Sequence, residues 1–372
     1  MKKLIIAIAA CMIFGMADAQ DRRQMGGIYH AYPYASMADN LVDDIPEGYT
    51  PFYLSHYGRH GSRWMTNDER YEWLYSYFAD RKNLTPLGRK VEKAMRKVLD
   101  NALGNGGRLS RLGAIQHEGI ARRMYSRLPQ IFAPGNRVKA RASVVDRCVK
   151  SMQAFTAMMQ SLQPALEMDI AADSADMAWI AYTAPEVKEL EKSLNIVART
   201  NPERFMAQLF KDPSRVAEHM RFMSEMQAVT SSLQDVGLNF KRYPKDIETL
   251  FDGLFTDDEF RAFYCANNLR MTICNGNYAT NDGIPARSAL SLWQNIVDEA
   301  DAALMSSKPS ATLRFGHDTS LYRLLTLLNM RYNNPYPLHP DTQQAVDSEH
   351  SDLMDVVVPM AANLQMVFYR KT

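Results

Sequence analysis

The sequence predicts an α/β protein: a mixed, mostly parallel sheet flanked by helices, with an all-helical cap inserted into it. Three observations carry that expectation. Short apolar or alternating segments with the period of strands recur along the chain. Helical patterns lie between them, the arrangement that builds a sheet with crossover helices. One long stretch, from Thr183 to Gly283, carries helix-start signals and no strand candidate of comparable strength.

In chain order, Met1-Lys2-Lys3 is a basic start, Leu4 to Met16 is almost unbroken apolar sequence, and Ala17-Asp18-Ala19 supplies small residues for cleavage. Residues 1–19 are therefore expected to be a secretory signal peptide outside the fold, and a lipid anchor at Cys11 is not expected. Pro51 to Ser55 reads as the first strand, Val138 to Ser143 as the second and Leu166 to Ile170 as a weaker third. Ala311 to Phe315 is the fourth, and Leu364 to Tyr369 alternates and closes the set. Asp146 to Gln160 and Thr319 to Asn329 are helical patterns, and Leu84 to Tyr125 is a helix-rich excursion broken at Gly104 to Gly107. Thr183 with Glu186 and Thr256 with Glu259 fit the capping box, and Asn201 precedes a proline at a first helical position. The expected division is a catalytic α/β domain over 20–183 and 284–372, with the helical insertion over 184–283.

The 372 residues carry 43 Lys and Arg against 42 Asp and Glu, a formal charge of +1, with 46% hydrophobic residues. That balance fits an ordinary globular chain and excludes the whole-domain basic signature of a nucleic-acid binder. Loss of residues 1–19 removes Lys2, Lys3 and Asp18 and leaves the remainder formally neutral. No later stretch approaches the length of a membrane span. Of four cysteines, Cys148, Cys265 and Cys274 remain, with Cys265 and Cys274 open either to a small disulfide loop or to burial as thiols. The methionines within helical patterns, such as Met152, Met159, Met223 and Met226, read as core filler.

The chemistry concentrates in two places. Directly after the first strand stands Tyr57-Gly58-Arg59-His60-Gly61-Ser62-Arg63, two arginines and a histidine within five residues. In open α/β sheets ligands sit beyond the carboxyl ends of strands. Two guanidiniums beside an imidazole complement a doubly charged tetrahedral anion such as a phosphoryl group. The same charge disfavours protonating the imidazole and keeps it a nucleophile in acid. Gly61 allows close backbone approach, and a helix opening there would add its dipole. After the fourth strand stands Gly316-His317-Asp318-Thr319, where His317 is a further donor to a phosphoryl oxygen and Asp318 a proton donor to a leaving alkoxide. Arg147, just beyond the second strand, is a third cation for the same pocket. Together they describe a phosphomonoesterase: His60 attacks phosphorus, Arg59, Arg63, Arg147 and His317 hold the equatorial oxygens, and Asp318 supplies the proton. No metal or other cofactor is required, because the cations do what a metal clamp does elsewhere.

At these residues the sequence resembles the histidine acid phosphatases, the larger two-domain branch of the histidine phosphatase superfamily. The resemblance runs from Arg59-His60-Gly61-Ser62-Arg63 through the Leu109 to Gly119 helix, Arg147 and His317-Asp318-Thr319 to Pro359-Met360-Ala361-Ala362-Asn363-Leu364. It implies a phosphoglycerate-mutase-like α/β domain with a helical insertion, and the same roles for His60, Asp318, Arg59, Arg63, Arg147 and His317. Within the family, RHGSR and the C-terminal segment look most like inositol-polyphosphate phosphatases. His317-Asp318 is instead the form commoner among phytases and general acid phosphatases. The expected function is hydrolysis of inositol polyphosphates such as phytate, or of other small phosphomonoesters, by an exported periplasmic or secreted enzyme. The alternative is a catalytically inactive phosphate-ligand binding protein.

Other residues carry blander expectations. His56 and His60 are four apart without the remaining features of a zinc motif. His117-Glu118 reads as a helix-surface pair, and His30, His219, His339 and His350 as surface residues. Asp318 also has the residue type of a helix N-cap. Lys139 and Arg141 are either extra phosphate contacts or solvated strand ends. Trp64, Met65 and Arg70 follow the RHGxR arm as candidates to line its entrance.

Overall fold

The computed structural model describes residues 6–8, 22–32, 45–240, 247–278, 280–306, 308–330 and 354–371. Its strands are β1 (Ile6–Ile8), β2 (Tyr49–Arg59), β3 (Arg137–Ala142), β4 (Glu167–Ala171), β5 (Ser310–Gly316) and β6 (Asn363–Lys371). They form one sheet in the order β1-β6-β2-β5-β3-β4. The central run from β2 through β5 and β3 to β4 is parallel, while β6 lies antiparallel to both β2 and β1. This is the mixed, mostly parallel sheet expected, with all five read strands present. Of the expected leader, only the backbone of Ile6–Ile8 falls within the described residues, beside β6; His339 and His350 lie outside them.

Strand β2 is buried on both faces, which explains its near-continuous apolar run and its place at the sheet centre. Pro51, which cannot donate to a ladder, sits where the β2–β6 register shifts. Helices α1 (Glu69–Ser76), α2 (Pro86–Ala102) and α3 (Arg111–Arg127) follow β2, and α4 (Asp146–Leu162) follows β3. After β4 come α5 (Met177–Ile180), α6 (Pro185–Ser193), α7 (Pro202–Leu209), α8 (His219–Val236) and α9 (Asp257–Asn275). Then come α10 (Ile284–Ser288), α11 (Leu290–Leu304), α12 (Asp318–Leu327) and α13 (Met354–Val357).

The layers follow from apolar faces. One face of the sheet packs Leu54, Ala140, Phe315 and Val367 against Ile120 and Met124 of α3 and Phe155 and Met159 of α4. The other packs Tyr53, Tyr57, Leu364 and Met366 against Leu292 and Ile296 of α11 and Leu321 and Leu324 of α12. A third core is mostly helical and lies apart from the sheet: Trp64, Leu74, Val91 and Met95 join Phe205, Phe222, Met226 and Phe263. Helices α1 and α2 thus share a core with the helices between 184 and 283.

Local signals meet mixed outcomes. Thr256 and Glu259 form the capping box at the start of α9, and Asn201 caps α7 by accepting from the Arg204 amide. At α6 the N-cap is Ala184 rather than Thr183, whose hydroxyl instead accepts from Arg323. Cys265 and Cys274 are free buried thiols on the same helix, nine residues or about 13 Å apart along its axis, so no bridge can join them. Met152, Met159, Met223 and Met226 are buried core residues.

Candidate active site

The site stands at the carboxyl ends of β2, β5 and β3, three adjacent parallel strands. In the β2–β5 ladder Arg59 faces Gly316, so His60 and His317 each begin the segment beyond. The His60 amide donates to the Gly316 carbonyl at 2.9 Å, and the Ala361 amide donates to the His60 carbonyl at 3.0 Å. The two imidazole rings are 5.9 Å apart, centre to centre.

Arg59 is fully buried, and its guanidinium is held rigidly. Nη1 donates to the carbonyls of Ile28 and Val358 at 2.8 and 2.6 Å, while Nη2 lies 2.9 Å from Asp318 Oδ2. Arg63 donates from Nη1 to the Trp64 carbonyl, and its guanidinium lies over the Tyr29 ring. Arg147 comes from the first turn of α4. The Nε atoms of Arg59, Arg63 and Arg147 are all buried with no hydrogen-bond partner among the described residues. Three guanidiniums around one imidazole complement a tetrahedral anion.

The electrostatics bear on His60 most. Burial, then the charges of Arg59, Arg63, Arg147 and His317, hold its pKa well below the ordinary histidine value. His60 Nδ1 lies 2.9 Å from the Gly61 carbonyl oxygen, which can only accept, so Nδ1 carries the proton and Nε2 keeps the free lone pair. Burial and Arg147 likewise lower His317 to about 4, and its Nε2 lies 3.1 Å from Ser143 Oγ. For Asp318 burial pushes upward, but Arg59, His317 and Arg63 together outweigh it and hold the carboxyl below its usual value.

The arm between His60 and Arg63 is clamped by backbone contact that leaves no room for side chains. A Cβ on Gly61 would lie 2.5 Å from the Gly113 carbonyl oxygen, and one on Gly113 would lie 2.3 Å from the Ser62 carbonyl oxygen. Helix α3 achieves this approach with Ser110 as its N-cap, whose hydroxyl accepts from the Gly113 amide.

All six residues singled out by sequence, Arg59, His60, Arg63, Arg147, His317 and Asp318, come together here. Several secondary expectations are corrected. No helix opens at Gly61; the chain stays irregular until α1, and the helix starts at the site belong to α4 and α12. Asp318 is the first residue of α12 rather than its N-cap, a place taken by His317. Trp64 and Met65 do not line the entrance but are buried, Trp64 stacking on Phe240, because the helical core reaches up to the arm. Arg70 is paired with Glu225. Lys139 is paired with Glu299, and Arg141 with Asp169, so neither is an extra phosphate contact.

His117 is not on the surface. It packs its ring on Phe315, and burial holds it at about 3. Sequence reasoning also passed over Gln116, Ser143, Ser151 and Asp235. Gln116 and His117 share the buried stripe of α3 with Leu112, Ile120 and Met124, a periodicity that does mark them as inward-facing.

An α/β sheet with a buried histidine and three arginines at its carboxyl edge defines a class of anion-handling proteins. The chain belongs to the histidine phosphatase superfamily, branch 2, whose family model matches residues 58–268. Multiple inositol polyphosphate phosphatase 1 of Gallus gallus is 26% identical over 277 residues, covering 70% of this chain and 59% of the relative. The chain therefore spans 59% of the length of that curated relative. The crystal structure of Bifidobacterium longum multiple inositol polyphosphate phosphatase with inositol hexasulfate superposes with a TM-score of 0.71 at 17% identity. That match covers 94% of this chain and 88% of the other. The phytase from D. castellii follows with a TM-score of 0.57 at 13% identity, covering 94% and 76%. These two likenesses show a shared fold.

Proposed function

We propose that this chain hydrolyses phosphomonoesters through a phosphohistidine on His60. The observation that carries the proposal is the state of that imidazole: neutral, tautomer-fixed by the Gly61 carbonyl and within the field of the Arg59, Arg63 and Arg147 guanidiniums. The phosphoryl oxygens are held by those guanidiniums and the His317 ring. Nε2 forms a bond to phosphorus as the phosphorus–oxygen ester bond breaks, and Asp318 gives its proton to the departing alkoxide. Water then attacks the phosphohistidine, the Asp318 carboxylate takes its proton, and inorganic phosphate leaves with His60 restored.

Arg59, His317 and Arg63 hold Asp318 ionised, so its role as acid depends on substrate. An arriving phosphoryl dianion takes up the Arg59 charge and adds its own beside the carboxyl, which raises the carboxyl's pKa until mild acid protonates it. The substrate proposed is an inositol polyphosphate such as phytate, supported by the names of the curated relative and of the structural neighbours. The chain is proposed to work in the periplasm or outside the cell after loss of residues 1–19. Among the described residues no helix is long and apolar enough to cross a membrane.

The experiment is a panel of phytate, glucose-1-phosphate and p-nitrophenyl phosphate, read by released phosphate, with His60→Ala as control. Turnover lost in His60→Ala supports the mechanism; undiminished turnover rejects it. A wild type that binds phosphate and releases none from any ester is a binding protein. Mass measurement of the exported chain tests for a start at Gln20.

A further inference from the structure

We infer that Asp235, from the helical body, is a positioning residue for this reaction, acting through the Ser62 hydroxyl on the arm that carries His60 and Arg63. The inference rests on the phosphohydrolase reading above. Asp235 lies one residue before the end of α8 and is fully buried. Its Oδ1 accepts from Ser62 Oγ at 2.6 Å.

The direction of every bond in this network is forced. The Ser62 amide donates to Gln116 Oε1 at 2.8 Å, which turns Gln116 Nε2 toward Ser62 Oγ at 3.0 Å. A hydroxyl oxygen that receives the Gln116 proton has its own proton left for Asp235. Ser62 is therefore held at its amide, its hydroxyl and its carbonyl, the last accepting from the Ser110 amide at 2.8 Å. Of these anchors Asp235 is the one contributed by the helical body. Its negative charge also acts on Arg59.

The arm needs such an anchor because it has no regular structure of its own. Between the end of β2 and the bridge from Arg63 to Leu109 it belongs to no strand or helix. Helix α8 also holds the helix that follows the arm, where Glu225 accepts from Arg70 Nε of α1 at 2.9 Å. The helical body thus sets the position of the nucleophile's neighbours.

Four variants test this with an aryl phosphate: Asp235→Ala, Asp235→Asn, Ser62→Ala and the Asp235→Ala/Ser62→Ala pair. A misplaced reacting group costs on the order of tenfold to hundredfold, so Asp235→Ala and Ser62→Ala each lower kcat by that factor, more than they raise KM. Asp235→Asn recovers most of the loss, since an amide oxygen accepts the same Ser62 proton. The double variant is no slower than the slower single one, because both remove one interaction.

Wild-type kcat in Ser62→Ala or Asp235→Ala overturns the inference. So does an Asp235→Asn enzyme as slow as Asp235→Ala, or losses that multiply in the double variant. Should Asp235→Ala not fold, Ser62→Ala removes the same bond with a smaller change and decides alone. A wild type that turns over no phosphomonoester fails the phosphohydrolase reading instead. The positioning claim is then read from affinity for inorganic phosphate, which Ser62→Ala and Asp235→Ala must weaken together, and an undiminished affinity overturns it.

Discussion

Arg59 Nη2 lies 2.9 Å from Asp318 Oδ2, so one buried guanidinium touches the proposed acid. This contact couples substrate arrival to the protonation of the acid. Asp318→Asn is expected to lower kcat on alkyl phosphates by about 10²–10⁴-fold, the usual worth of a positioned acid. The loss is smaller with p-nitrophenyl phosphate, whose leaving group departs as a stabilised anion. Comparing the two substrates in steady state checks it.

The same contact sets the pH dependence. His60 is held far below its ordinary value, so the nucleophile stays unprotonated in mild acid. The rate is expected to be highest there and to fall with rising pH as the substrate-bound Asp318 loses its proton. In Asp318→Asn that alkaline decline disappears. A pH–rate profile of both proteins decides the point, and treatment with EDTA is expected to leave the wild-type profile unchanged.

Arg59→Lys keeps a charge but cannot satisfy Ile28, Val358, Asp318 and a phosphoryl oxygen together. A loss of about 10²–10³-fold in kcat is expected, as for removal of an oxyanion donor. The thermal midpoint falls as well, because two buried carbonyls lose a donor. Kinetics and calorimetry on one preparation measure both.

Gly113→Ala drives a methyl group into the Ser62 carbonyl, 2.3 Å away, and against the Leu109 side chain. Backbone has little freedom to yield there, so a destabilisation of about 1–3 kcal/mol is expected, with the His60 arm displaced. Urea unfolding and kcat are expected to fall together.

His56 and His117 are buried beside Phe315, and burial holds each at about 3. An unfolded histidine binds its proton near 6.5, so the unfolded state holds more protons than the folded one between about 6.5 and 3. Stability is therefore present above that window and declines as pH falls through it. Urea unfolding at pH 7 and pH 4 is expected to show a smaller drop for His117→Leu than for wild type.

What was legible in the sequence follows physical range. Four of the five strands were readable because they bury a recurring apolar pattern, although β2 runs on to Arg59, past the expected end at Ser55, and β4, the weakest reading, buries none of its own residues. The capping box at Thr256 and Glu259 was readable because both partners lie within one turn. The box at Thr183 was lost to a tertiary competitor, Arg323, which takes the hydroxyl. His117 beside Glu118 looked solvent-facing because a charged neighbour suggests a surface. Helical neighbours lie three and four residues apart, and the buried stripe of Gly113, Ile120 and Met124 carries His117 inward.

By itself the sequence determined the sheet-and-helix alternation, the helical stretch and the chemical inventory of the site: Arg59, His60 and Arg63 in one motif, His317 and Asp318 in another, and Arg147 between. Those are local properties, written in periodicity and in residues a few places apart. Only the tertiary structure decided the pairing of Arg59 with Asp318, the bond from Asp235 to Ser62 and the fit of Gly113 against the arm. It alone decided, too, that His60 is neutral with its proton on Nδ1, because desolvation and the convergence of three guanidiniums exist only once distant segments pack together.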